Sequence, residues 1–266
     1  MDGDAQSRDG VAAIAHAKPR PRTTVSGVLG ELLITVGVVV LLYVAWQMWI
    51  GDWIIGAQNN AKGQELAQEW SNGNDDPVIS PGTPTPSPSA SSSDAPVEPV
   101  VLPEPKNGQK FGVMRIPRFG DDYAVAVAGG VTKARTLDKG EIGHYPGTGM
   151  PGEVGNFAVA GHRTTYGAPF GRIADLRVGD AIVVETKAGW YTYRFRTLEY
   201  VRPQAIDVLY PVPQVSQKPD GERYITLTSC SPKFSSAERI IAYGVFESFQ
   251  PRSAGEPSSL TTTVGA

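Results

Sequence analysis

The amino-acid sequence predicts an all-β domain, a closed barrel or a sandwich, behind one N-terminal transmembrane helix and a Pro/Ser-rich linker. Residues 32–50 are nineteen positions without a charged side chain, long enough as a helix to cross a hydrocarbon core of about 30 Å. Residues 71–105 hold nine prolines and seven serines and few large apolar side chains, so burial there cannot offset the entropy of ordering. From residue 108 onward, short β-branched and aromatic runs recur between Gly and Pro turns, with little helical periodicity.

Residues 1–27 are the basic N-terminal segment: Lys18, Arg20 and Arg22 precede the apolar run and Asp52 follows it. The bias of positive charge predicts a single-pass anchor over residues 28–50, with the N-terminus in the cytoplasm and the remainder outside the cell membrane. Tyr43, Trp46, Trp49 and Trp53 crowd the outer end as interfacial aromatics do. A cleaved signal peptide is the competing reading, but its apolar core is about 7–15 residues and ends at small side chains. Residues 51–107 are then a juxtamembrane segment and a disordered stalk, reaching on the order of 100 Å if extended. Residues 54–70 have a helix-compatible composition, weakened by Gly56 and Gly63.

The folded unit is expected over residues 108–249, with strands at 112–116, 123–128, 157–160, 181–185, 191–201, 223–229 and 240–247. Short helices are expected at 132–137 and 169–176. The Lys187-Ala188-Gly189 turn between two of these runs reads as a hairpin. Residues 250–266, rich in Ser, Thr, Gly and Pro, read as a flexible tail.

Charge is nearly balanced, 24 Lys and Arg against 27 Asp and Glu, which gives no support to nucleic-acid binding. The chemistry concentrates on the one cysteine, Cys230, which has no intramolecular disulfide partner. It ends Tyr224-Ile225-Thr226-Leu227-Thr228-Ser229-Cys230, an alternating run that places Ile225 and Leu227 on one face and Thr226, Thr228 and Cys230 on the other. The thiol therefore emerges beside hydroxyls, outside the aliphatic layer. Arg239 opens the next strand after a polar loop, and His162 follows the apolar run ending at Ala160. A thiol activated by an imidazole, with a guanidinium donating to an oxyanion, would serve acyl transfer. Each residue also has a plainer reading: a buried thiol, a turn histidine, a solvated arginine. A metal site of His144, His162 and Cys230 lacks a second cysteine or paired histidine spacing.

Thr226-Leu227-Thr228-Ser229-Cys230 with the following Arg239 resembles the Thr-Leu-X-Thr-Cys…Arg motif of sortases, and the run Gly155 to Arg163 resembles the strand that delivers their histidine. Ile116-Pro117 and Val178-Gly179-Asp180 agree with this pattern, and Ser229 departs from it by one methyl. The resemblance implies an eight-stranded sortase β-barrel, with Cys230 as nucleophile, His162 as general acid/base and Arg239 as oxyanion stabiliser. It also implies cleavage of a sorting signal between Thr and Gly through a thioester. The runs Gly143 to Glu153 and Gly161 to Phe170 are similar to class E sortases of actinobacteria, associated with Leu-Ala-X-Thr-Gly rather than Leu-Pro-X-Thr-Gly signals. Substrate contacts are then expected from Tyr145, Thr228 and Ser229, and from Ile206, Val208, Leu209 and Val212 in the loop 203–221. Tyr145 reads equally as a turn aromatic packed on the barrel. No cofactor and no metal are expected, since no cluster of acids surrounds Glu153. The partners implied are secreted proteins bearing the signal and an amine acceptor, a peptidoglycan precursor such as lipid II or a pilin lysine. An L,D-transpeptidase is a poor match because its Ser-X-Gly-Cys segment is missing. A non-catalytic anchored β-domain that binds cell wall or a partner protein stays open.

Overall fold

The computed structural model describes residues 24–46, 51–72 and 97–261. The chain divides into two units, Met1–Ala45 and Trp46–Ala266. The first contains helix α1, Val25–Ala45, long and apolar enough to cross a membrane. The basic residues that set the expected topology lie outside the described residues.

The second unit is a closed barrel of eight strands: β1 (Lys110–Arg115), β2 (Val125–Gly129), β3 (Ile142–His144), β4 (Gly155–Ala160), β5 (Ala181–Thr186), β6 (Gly189–Val201), β7 (Arg223–Ser231) and β8 (Glu238–Pro251). They are ordered β1-β2-β3-β4-β7-β8-β6-β5, and β5 closes back on β1. Two pairs are parallel, β2 with β3 and β4 with β7. Parallel neighbours need a crossover, and the chain between β4 and β7 contains the β5–β6 hairpin, antiparallel as expected. Met114, Phe157, Ile182, Tyr193, Ile225 and Leu227 are among the side chains that fill the interior. On β7 the alternation holds: Ile225 and Leu227 are in this core, and Thr226 and Thr228 are buried on the opposite face.

Seven strands match expected runs within a few residues. The eighth, β3, is three residues with a central glycine, too short for a periodic signal. The two expected helices reduce to 3₁₀ turns at Leu137–Lys139 and Ile173–Asp175.

The flanks depart more. The helix-compatible composition of residues 54–70 does form a helix, α2 (Gly51–Asn72), but it packs on β1 and β2. Gly63 and Ala67 are buried, and a Cβ at position 63 would collide with the Ala124 carbonyl. Glycine here permits close approach rather than breaking the helix. The Asn60 side chain accepts from the Ala124 amide at 3.3 Å, and Gln64 donates to the Asp122 carbonyl at 3.1 Å. Of the expected stalk, residues 73–96 lie outside the described residues, whereas the segment from residue 97 clings to the barrel. Leu102 packs on the core, Glu104 accepts from the Gly147 amide at 3.0 Å, and the Val100 carbonyl accepts from Tyr191. The described part of the expected tail, residues 250–261, is also docked, since β8 runs to Pro251 and 3₁₀ turns follow at Arg252–Ala254 and Ser258–Leu260. Leu260 packs against Ala181, Val183 and Trp190. Apolar contact and the Arg252 guanidinium overcome the loop-like composition there.

Candidate active site

Strand pairing around β7 builds the site. On one side β8 runs antiparallel, with Thr228 opposite Ile241 and Cys230 directly opposite Arg239. Directly opposed residues project to the same face of a sheet, so thiol and guanidinium share the outer face. On the other side β4 runs parallel, with Ala158 beside Thr226 and Ala160 beside Thr228. The pairing continues past the strand: the Gly161 amide donates to the Thr228 carbonyl at 3.1 Å, and the Ser229 hydroxyl donates to the Gly161 carbonyl at 2.8 Å. His162 is the next residue, level with Cys230. Backbone register therefore brings His162, Cys230 and Arg239 to one end of three neighbouring strands.

The three side chains make no hydrogen bond to one another among the described residues. His162 Nε2 lies 2.9 Å from Asp138 Oδ1, and its ring stacks on Tyr166 at 5.0 Å between centroids. An ionised carboxylate only accepts, so Nε2 is the donor. Nδ1 is then the nitrogen left to exchange a proton with a substrate or thiol. Arg239 Nη1 donates to the carbonyls of Ser236 and Glu238 at 3.0 and 2.9 Å. Cys230 is a free, half-buried thiol. Such looseness is common before substrate binds.

Tyr145 is joined to the same face. Its amide donates to the Ala158 carbonyl at 3.0 Å, and its hydroxyl meets Thr228 Oγ1 at 3.0 Å, two residues from the thiol. Thr228 is buried at 4% exposure. Ser229 differs from its expected substrate role: its side chain is committed to the Gly161 carbonyl, tying the cysteine strand to the histidine segment. Val208 differs too. It is 4% exposed and packs with Ile241 and Tyr243, so it anchors its loop to β8. Leu209 lies partly buried on that cluster, Val212 is half-buried and Ile206 is 66% exposed. Only Ile206 of the four stands clear.

Asn156, absent from the expected set, holds this loop over the strands. It accepts from Thr226 Oγ1 at 2.8 Å and donates to the Val208 and Tyr210 carbonyls at 3.2 and 3.1 Å. A buried amide inside an apolar strand was the available signal, because such groups must find partners. Asp138 gave none, since one acid in a polar turn is unremarkable.

His144 belongs elsewhere. Its Nε2 faces the Gly149 carbonyl at 3.0 Å and Thr148 Oγ1 at 3.1 Å, and its ring stacks on Phe157 at 5.3 Å. Burial pushes its pKa below the ordinary histidine value. Among the described residues no group of three or more His, Cys, Asp or Glu is arranged to hold a metal ion.

A family model described as "Sortase domain" matches residues 114–247. Sortase SrtE1 of Streptomyces coelicolor is 37% identical over 251 residues, 92% of this chain and 64% of that protein, so the chain spans just under two thirds of that relative. A crystal structure of Sortase E1 from Streptomyces coelicolor with a tripeptide in its active site superposes with a TM-score of 0.54 at 40% identity, covering 59% of this chain and 99% of the other. The SrtA sortase from Actinomyces oris gives a TM-score of 0.58 at 35% identity, with 64% and 97% covered. The family match begins in β1 and ends in β8, so it is carried by the barrel and by both strands of the Cys230–Arg239 pair: the chain belongs to the sortase family.

Proposed function

We propose that this chain is a membrane-anchored cysteine transpeptidase of class E type. It would cleave a Leu-Ala-X-Thr-Gly or Leu-Pro-X-Thr-Gly signal between Thr and Gly and pass the protein to a cell-wall amine such as that of lipid II. The Cys230 thiolate attacks the threonine carbonyl carbon, and the tetrahedral oxyanion is met by Arg239. The His162 imidazolium gives its proton to the departing glycine amine, leaving a thioester. The acceptor amine attacks the thioester carbon, His162 takes the amine's proton, and collapse to the new amide expels the Cys230 thiolate, restoring the starting pair. Asp138, accepting from Nε2 at 2.9 Å, orients the ring. Tyr145, Thr228 and Ile206 would contact the peptide; what supports this is the Tyr145–Thr228 hydrogen bond two residues from Cys230 and the exposed Ile206 side chain. The apolar α1, with basic residues before it, supports a single-pass anchor with the N-terminus cytoplasmic and the barrel outside.

The observation that carries this reading is the double register of β7, antiparallel to Arg239 and parallel toward His162. Its test is the intact mass of the full chain in detergent after incubation with a Leu-Ala-X-Thr-Gly peptide. The expected result is a thioester adduct, absent in Cys230→Ala, that an added amine discharges into a new peptide. An adduct only with Leu-Pro-X-Thr-Gly would keep the enzyme and change its signal. No adduct with either peptide, in folded protein, would overturn the reading.

A further inference from the structure

We infer that α2, the helix that begins six residues after α1 ends, is a positioning element of the active site. Through Asp52 and Asn59 it fixes the loop 163–168 and, with it, the His162 ring. This rests on the proposed role of His162.

The loop has one internal turn, with the Ala168 amide donating to the Thr165 carbonyl at 2.8 Å, yet its backbone is strained. Thr165, Tyr166 and Ala168 have φ of 66°, 53° and 45°, a left-handed conformation that side chains with a Cβ resist. Such backbone persists only where surroundings impose it, and here α2 does. Asp52 Oδ2 accepts from the Thr165 amide at 2.7 Å and Oδ1 from the Gly167 amide at 3.4 Å. Asn59 Nδ2 donates to the Tyr166 carbonyl at 3.1 Å. The Tyr166 ring so fixed is the one stacked on His162, at 25° between planes.

The other support of His162 meets the same helix. Asp138 lies in the 3₁₀ turn that ends at Gly140, whose φ is 76°. A Cβ at Gly140 would collide with Asn59 Nδ2 and the Tyr166 carbonyl. The Asp138 turn, the Tyr166 loop and α2 therefore converge at one point. Gly56 and Gly167 approach closely one turn of helix away, where a Cβ on Gly56 would sit 3.2 Å from the Gly167 carbonyl. Asp52, Gly56, Asn59 and Gly63 recur at three- and four-residue intervals, the spacing of one helix face. Asp52 and Trp53 also wall a cavity of about 460 Å³ that reaches Arg163, after His162, and Lys233 and Phe234, after Cys230.

The experiment compares full-length protein in detergent with Asp52→Ala/Asn59→Ala, with Asp52→Asn, and with Gly63→Leu, which pries α2 off β2 away from the histidine. Peptide turnover is measured with hydrogen exchange at Thr165 and Gly167. The double variant and Gly63→Leu are expected to lose about tenfold or more in kcat, as displaced catalytic groups do. KM should stay within about twofold, the pattern of lost transition-state interactions. Their Thr165 and Gly167 amides should exchange faster. Asp52→Asn, which keeps one acceptor oxygen for Thr165, should recover most of the rate. Wild-type kcat in the double variant, or a kcat loss matched by an equal rise in KM, would overturn this inference alone. Absence of Cys230-dependent turnover in the wild type would instead overturn the transpeptidase reading.

Discussion

At the scale of single residues, the site depends on which nitrogen of His162 is spoken for. Asp138 accepts from Nε2, so replacing it should free the ring to rotate. Asp138→Ala is expected to lower kcat by roughly ten- to a hundredfold, less than the roughly hundred- to ten-thousandfold that the acid–base group itself contributes. Asp138→Asn, whose carbonyl oxygen still accepts from Nε2, should recover the orientation without the charge and fall between. Equal kcat in Asp138→Ala and wild type would count against the role. Tyr145 offers a sharper test of specificity. If it reads the residue after leucine in the signal, Tyr145→Ala should move the ratio of kcat/KM for the Ala and Pro peptides by about tenfold, within the range that pocket reshaping commands. If it is only a turn aromatic on the barrel, melting temperature falls and the ratio stays. Its hydroxyl on Thr228, two residues from the thiol, favours the first outcome.

Secondary-structure elements differ in how much of their role a sequence can carry. β7 was legible because one strand holds both its reason to fold and its chemistry: Ile225 and Leu227 face the core, and Thr226, Thr228 and Cys230 face out. Its pairing with β8 followed from a short loop. The parallel pairing with β4 did not, because about sixty residues and a hairpin intervene. Asp138, Tyr166, Asp52 and Asn59 act through contacts made only when distant segments fold together, so no local pattern announces them. The glycines of α2 misled for the opposite reason: their helix-weakening propensity is visible in sequence, and the close packing they permit is not. The β3–β4 connection carries a pH dependence of its own. His144 is buried with a depressed pKa, while in the unfolded chain it titrates near 6.5. Between those values the unfolded state binds the extra proton, so stability is complete above about pH 6.5 and is lost as pH falls toward the folded value. His144→Asn should flatten the melting-temperature profile between about pH 7 and 5. An unchanged acid slope would place that sensitivity elsewhere.

For the molecule as a whole, covalently remote segments flanking the barrel meet at one arginine. Glu185 is 1% exposed and takes Arg115 Nε at 2.8 Å and Arg252 Nη2 at 2.9 Å. Arg252 also donates to the Thr186 carbonyl, lies over the Trp190 ring at 4.8 Å and the Trp70 ring at 5.9 Å, and reaches Ser71 Oγ at 3.1 Å. One guanidinium thus joins β5, the residues after β8 and the last turn of α2, which explains why a tail of loop-like composition is docked. It also couples stability to the position of the helix that braces His162. Removing it leaves a buried carboxylate with one partner of two and uncovers two indole faces. Arg252→Ala should cost about 3 kcal/mol, the lower end of what breaking a buried ion pair costs, read as a fall in the denaturant midpoint with an unchanged slope. Arg252→Lys should restore little, because an ammonium lacks the planar fork that serves the carboxylate, the carbonyl and both rings together. Hydrogen exchange should quicken in the last turn of α2 before the strands, since that turn loses the Ser71 and Trp70 contacts while the ladders are untouched. A loss under about 0.5 kcal/mol, the size of an ordinary surface substitution, would mean that apolar packing of Leu260 and Ala67 holds both flanks without the arginine.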